Sequence, residues 1–304
     1  MKKKSGKKGI IILIVIIIIV AAAMNYDKKK NEEEEPSTVV ITTENNAKNT
    51  TETTKATTEK TEDKNDDYAI EILSSSIEEN YDGSDVLVIE YSWTNNSKKE
   101  TSFTFAFNDK VYQNGIECSS LGVMMDDVSA GDGLVDIKPG VTNTIKIGYK
   151  LQDKTNAAVE IKDIIKNHYY LNAVIELEDG EGKYKAEDAE NVKTSVKIAD
   201  MYLGEDYSGD DILIVKYEYT NGEDKACAFA TEFNDKVFQN GVECKSFTFS
   251  DEVDSEPSIL YIKPGVTIIV EEGYLLNDTS SDVEIEIKEY FTDKEVLSEK
   301  RSIN

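Results

Sequence analysis

The chain is poor in the side chains that do chemistry. Its 304 residues include one His, three Cys, one Trp and four Pro. One imidazole and three thiols leave little material for zinc sites or for nucleophile and base pairs. Positive charge is also scarce, with 34 Lys and Arg against 60 Asp and Glu and a formal net charge of -26. Neutralising phosphate needs clustered Lys and Arg, so nucleic acid and anionic membrane surfaces are poor partners for the chain. Sustained helical periodicity is missing after the leader, which argues against a helical bundle. The length suits about two domains with appendages.

What the chain does have is unevenly spread. Residues 1–8 form a basic leader with Lys2, Lys3, Lys4, Lys7 and Lys8, followed by an apolar run from Gly9 to Met24. As a helix at about 1.5 Å per residue this run approaches the hydrocarbon thickness of a bilayer, with Lys8 and Tyr26 placed to reach the interfaces. The positive-inside rule leaves the leader cytoplasmic and the rest of the chain outside. A cleaved signal peptide is the competing reading, since Ala21, Ala22 and Ala23 supply small residues for a peptidase. No Gly, Pro or Ser breaks the run before them, which favours a retained single-pass anchor. With no Cys near the segment, a lipoprotein anchor is excluded.

Residues 25–66 read as a disordered stalk. They hold ten Thr, four consecutive Glu from Glu32 to Glu35, and Val39, Val40 and Ile41 as the one clustered apolar group. This composition buries too little surface to offset its ordering entropy.

An internal repeat governs the remainder. Tyr81 to Cys118 aligns without gaps to Tyr207 to Cys244, and about half the positions are identical. Phe107-Asn108-Asp109-Lys110-Val111 recurs as Phe233-Asn234-Asp235-Lys236-Val237, Gln113-Asn114-Gly115 as Gln239-Asn240-Gly241, and Ile137 to Thr142 as Ile262 to Thr267. The period is too long for a solenoid and marks two copies of a whole domain. The copies are placed at residues 67–177 and 194–304, with a polar linker at 178–193.

Apolar residues alternate within each copy, which predicts strands. Leu87, Ile89, Tyr91 and Trp93 make one stripe, Phe103, Phe105 and Phe107 a second, and Ile145, Ile147, Tyr149 and Leu151 a third. Val159 and Ile161 mark a closing strand. Copy two answers each stripe, with Glu272 in place of Ile147. Asn114-Gly115 and Asn240-Gly241 suit hairpin turns that need positive φ, and Pro139-Gly140 and Pro264-Gly265 suit type II turns. About seven short strands per copy predict an all-β fold of two tandem antiparallel β-sandwich domains.

The order of the Val86 to Tyr91 strand, Thr94-Asn95-Asn96, Phe107 to Glu117 and Ile137 to Thr142 resembles an uncharacterised domain-of-unknown-function family of bacterial surface proteins. That family looks related to the telokin-like, immunoglobulin-like extracellular domains. The resemblance covers Asp67 to Ile164 and Thr194 to Ile287. It implies an immunoglobulin-like sandwich and an extracytoplasmic location, and it implies no activity, cofactor or catalytic residue.

Candidate chemistry is thin. His168 lies beside Tyr169 and Tyr170 and has no counterpart in copy two, so an ordinary surface His is the better account than a Ser-His-Asp arrangement. Asp82-Gly83-Ser84-Asp85, Asp206 to Asp211 and Asp126-Asp127 offer carboxylates for calcium, but their spacing matches no EF-hand loop and also describes tight turns. Asp109-Lys110 and Asp235-Lys236 read as a bulge or an exposed pair. Cys118 reads as a buried or unpaired thiol, and a Cys227 to Cys244 bridge stays open. No catalytic, cofactor or metal residue is assigned, and an enzyme is not expected.

The expected function is a membrane-anchored, non-catalytic surface protein that binds a protein or a neutral glycan. The alternative is capture of a small ligand or calcium by the two domains. Residues 67–304 carry 49 acidic and 22 basic side chains. Polyanions should therefore be ignored unless Lys98, Lys99 and Lys110 form a local basic patch.

Overall fold

A computed structural model describes residues 39–41, 67–120, 123, 125, 128, 131–166, 168–247 and 250–303. The basic leader, the Gly9 to Met24 run, most of the stalk and Asp126-Asp127 lie outside the described residues. Among the described residues, no helix is long and apolar enough to cross a membrane. The fold is all-β, and among the described residues its sheets are antiparallel apart from the pairing of Val39–Ile41 with Ala173–Ile175. The chain divides into two compact units, with the main break between Gly182 and Lys183.

In the first unit one sheet has the order β2 (Tyr68–Glu79), β3 (Asp85–Asn95), β6 (Thr142–Lys150). The other runs β1 (Val39–Ile41), β8 (Tyr169–Ile175), β7 (Ala157–Asp163), β4 (Phe107–Gln113), β5 (Ile116–Glu117). The alternation in β3 does what its period requires: Leu87, Ile89, Tyr91 and Trp93 are all buried on the face that meets Val111, Val159, Ile161 and Ile175 of the other sheet. Two layers thus close over one core. Burial of β-branched and aromatic side chains at about 25 cal/mol per Å² is the main stabilising term.

The second unit repeats the plan. β9 (Ser195–Glu205), β10 (Asp211–Thr220) and β14 (Thr267–Leu275) form one sheet, extended by β13 (Lys245–Phe247). β11 (Phe233–Gln239), β12 (Val242–Glu243), β15 (Val283–Glu289) and β16 (Glu295–Arg301) form the other. The predicted turns take the required backbone. Asn114 and Gly115 have φ of 51° and 77°, Asn240 and Gly241 of 53° and 78°, and Gly140 and Gly265 of 79° and 80°.

One expectation is corrected. The Phe103, Phe105, Phe107 stripe is not one strand: Phe103–Ala106 is a helical turn, and β4 starts at Phe107. Phe103 and Phe107 are buried four residues apart, as a helical turn places them, while Phe105 is 60% exposed. The second copy has Thr231 in that outward position, which a buried strand face would have penalised. Within the stretch read as a stalk, Val39–Ile41 forms a strand. These three β-branched residues pair in parallel with Ala173–Ile175, satisfying backbone groups along the edge of β8.

Candidate functional site

Most residues that repeat between the copies prove to be scaffolding. Asn95 donates to the carbonyls of Lys99 and Ile137 at 2.8 and 3.0 Å, and Asn221 donates to those of Lys225 and Ile262 at 2.9 and 2.7 Å. Gln113, buried beside its hairpin, donates to Asp153 and Thr155 carbonyls and accepts from Gln152 N–H. Gln239 makes the corresponding bonds to Asp278, Ser281 and Asn277. Each pins a loop whose backbone groups would otherwise go unpaired.

The repeated Asp of the Phe-Asn-Asp-Lys-Val motif is neither a bulge nor half of an exposed pair. Asp109, half-buried on β4, accepts from Tyr149 of β6 at 2.8 Å, and the Tyr149 and Tyr91 hydroxyls lie 3.2 Å apart. In the second unit Tyr274 donates to Asp235, with Tyr217 3.0 Å from Tyr274. Burial raises both carboxyl groups, and the tyrosine donors pull them back. Burial also pushes all four tyrosines above their ordinary range, so these hydroxyls keep their protons at physiological pH. The chains of bonds tie the two sheets of each unit together. The signal that could have revealed them was the match of Tyr149 with Tyr274, read there only as apolar periodicity.

One charged difference between the units lies close to the second of these bonds. Glu272, on β14, occupies the place of Ile147, packed near Asp235 and hydrogen-bonded to Ser258. Burial, then the Asp235 charge, push its carboxyl up to about 8.

Among the described residues, those flagged by the sequence lie apart from one another in separate loops and strands. His168 is exposed, with its ring edge-on to Tyr170 at 5.1 Å between centroids. All three cysteines are free and buried, so the Cys227 to Cys244 bridge that the sequence left open is not formed. Cys227 sits on a bridge with Ile262, where burial and then Glu232 push its thiol up to about 12. Cys244 is held after the second hairpin by its N–H to Val237. Asp82 Oδ1 accepts from Ser84 N and Oγ at 2.9 and 2.5 Å, which lowers its carboxyl to about 2. Asp206 Oδ1 accepts from the N–H groups of Ser208 and Asp210 at 2.7 and 2.9 Å. These carboxylates close their own hairpin loops. Among the described residues, no group of three or more His, Cys, Asp or Glu could hold a metal ion.

What those loops do present is a tyrosine. Tyr81 is 72% exposed at the β2–β3 tip, and Tyr207 is 68% exposed at the equivalent β9–β10 tip. Both stand on loops fixed by an Asp and a positive-φ glycine, Gly83 or Gly209. Each loop thus exposes one flat, amphipathic aromatic side chain.

The family described as Domain of unknown function (DUF5067) matches residues 43–163 and 174–289. The chain belongs to that family. Its two DUF5067 regions take in both halves of the repeat, including Tyr81, Asp109, Tyr207 and Asp235, and start further upstream than the repeat read from the sequence. No curated protein sequence matches the chain. Among solved structures, a red sea bream transglutaminase is 6% identical with a TM-score of 0.21, covering 77% of this chain and 31% of its own. A variant of the McoA multicopper oxidase from Aquifex aeolicus is 10% identical with a TM-score of 0.19, covering 89% of this chain and 61% of its own. The C-terminal domain of the Streptococcus pyogenes antigen I/II-family protein AspA is 10% identical with a TM-score of 0.16, covering 77% of this chain and 98% of its own. The chain thus spans about a third and three-fifths of the first two. At such TM-scores these likenesses carry no argument for a DUF5067 protein.

Proposed function

We infer that the protein is a membrane-anchored, extracytoplasmic binding protein without catalytic activity. Its two domains are read as immunoglobulin-like sandwiches that meet a protein or a neutral glycan through their loop ends. Strand order supports the immunoglobulin-like reading. β2, β3 and β6 follow the A, B, E arrangement, β4, β7 and β8 follow C, F, G, and the second unit repeats both. Five lysines ahead of the Gly9 to Met24 run support the anchor and its orientation.

The observation that carries the binding reading is the matched pair of exposed tyrosines, Tyr81 and Tyr207, on loops made rigid by their own Asp side chains. An ordered, exposed tyrosine loses little conformational freedom on binding, and aromatic side chains are enriched in contact surfaces. The surrounding negative charge disfavours polyanions. The test is binding of the full-length protein in detergent to immobilised neutral glycans, peptides and anionic wall polymer. Binding to one of the first two, lost in a Tyr81→Ala, Tyr207→Ala variant, supports the reading. Salt-sensitive retention on the anionic polymer, or a thermal shift with calcium alone, would sink it.

A further inference from the structure

The two units differ at one sheet edge. In the first, β8 is covered by β1, with Val39, Val40 and Ile41 registered in parallel against Ala173, Val174 and Ile175. In the second, the strand in the same place is β16, which is the edge of its sheet among the described residues. The repeat offset aligns Ala173, Val174 and Ile175 with Glu299, Lys300 and Arg301. Arg301 pairs with Glu299 at 2.5 Å and Lys300 with Asp282 at 3.3 Å. Charges on an edge strand block pairing with another chain, whereas an apolar edge invites it. One edge is thus guarded, and the other is filled.

We propose that the β8 edge is a strand-acceptor site whose occupant is the chain's own Val39–Ile41, a latch tying the leader-proximal chain to the first sandwich. Strand addition of this kind draws on main-chain hydrogen bonds, and apolar β-branched residues suit it. The 26 residues from Thr42 to Asp67 span at most about 90 Å, ample to return the chain to β2 on the other sheet. Tethering holds the segment at an effective concentration of roughly millimolar, which favours the chain's own segment over that of a second copy. The consequence rests on the anchor reading above. Latched, 14 residues separate Met24 from the docked strand, a reach of at most about 50 Å. Released, 43 residues separate Met24 from Tyr68, a reach of at most about 150 Å. Latching sets how far the binding loops stand from the membrane.

Hydrogen exchange on the full-length chain in detergent tests the latch. Val39→Asp, Val40→Asp and Ile41→Asp together should speed exchange of the β8 amides about tenfold while β3 and β15 amides hold their protection. A synthetic peptide of residues 37–43 should restore β8 protection to the variant. Unchanged β8 exchange would overturn the proposal. Should the triple variant lose β3 protection as well, the pair Val40→Cys and Val174→Cys decides, because these residues are registered partners. A cross-linked monomer upon oxidation supports the latch; a cross-linked dimer or no cross-link overturns it. Membrane fractionation tests the anchor separately, so either idea can fail alone.

Discussion

The phenolic hydroxyl of Tyr149 on β6 donates to Asp109 Oδ2 on β4 at 2.8 Å, a bond that joins the two sheets of the first unit through its core. Without it, the half-buried carboxyl of Asp109 would lose a donor that opposes the cost of its burial. Tyr149→Phe should therefore destabilise the first unit by about 1.5 to 3 kcal/mol, the range for hydrogen bonds to charged groups. Urea unfolding followed by hydrogen exchange in β3 and β6 measures it. A loss below about 0.5 kcal/mol would mean that the bond is an incidental contact.

How much of this was legible beforehand depends on the signal each residue carried. The Leu87 to Trp93 stripe showed its buried face because a strand's period of two survives any choice of partner. The Asn-Gly and Pro-Gly turns were readable because positive φ restricts the residue type. Asp109 was not, since an acidic residue followed by Lys looks like a solvated pair until the fold brings Tyr149 over it. β1 was hidden for a related reason. Three apolar residues in a Thr- and Glu-rich stretch are too short a run to predict a strand, and only the bare edge of β8 gives them a place.

The helical turn at Phe103–Ala106 separates neighbouring phenylalanines that the alternation treated alike. Phe103 stacks on Tyr91 and packs at a tilt against Phe107 within the core, whereas Phe105 is exposed to solvent. Phe103→Ala should cost about 3 to 5 kcal/mol, and Phe105→Ala less than about 0.5 kcal/mol. Equal losses in thermal or chemical unfolding would restore the single-strand reading.

Glu272 should give the second unit a pH dependence. Burial and the Asp235 charge push its folded carboxyl up to about 8 from the ordinary value of 4.5, so the native state binds more protons than the unfolded one between these limits. The resulting stability is fully present below about 4.5 and is lost as pH rises through about 8, with a slope of at most about 1.4 kcal/mol per unit. Asp235, raised in the same direction, adds the same sign. Glu272→Gln should flatten the profile between pH 5 and 8, and Glu272→Ile, the first unit's solution, should raise stability at pH 8. Unfolding of the variants across that range checks both, and a parallel, unflattened profile for Glu272→Gln would assign the dependence elsewhere.

Tyr219 is fully buried, and its hydroxyl has no hydrogen-bond partner among the described residues; Nε1 of Trp93, at the equivalent place in the first unit, is in the same condition. The ring packs edge-on to Phe229 and Phe233, so its contribution lies in the aromatic contact. Tyr219→Phe keeps that contact and removes the desolvated group, so stability should stay level or rise by about 1 kcal/mol. A loss of 1 kcal/mol or more would show that an ordered water satisfies the hydroxyl.

Gly140 offers a test free of packing. It holds φ of 79° in the Pro139-Gly140 turn, where the Val141 N–H bonds the Lys138 carbonyl at 3.1 Å, and an added Cβ would meet nothing within 4 Å. Any cost of substitution is then one of backbone conformation. Gly140→Ala should lose about 1 to 2 kcal/mol and Gly140→Val more, because branching at Cβ makes the left-handed region worse. Gly140→Asn should lose least, since Asn tolerates that region, as Asn114 and Asn240 do at their hairpins. Calorimetry on the full chain ranks the three variants, and an order of Asn worse than Val would show that the turn abandons positive φ when glycine is removed.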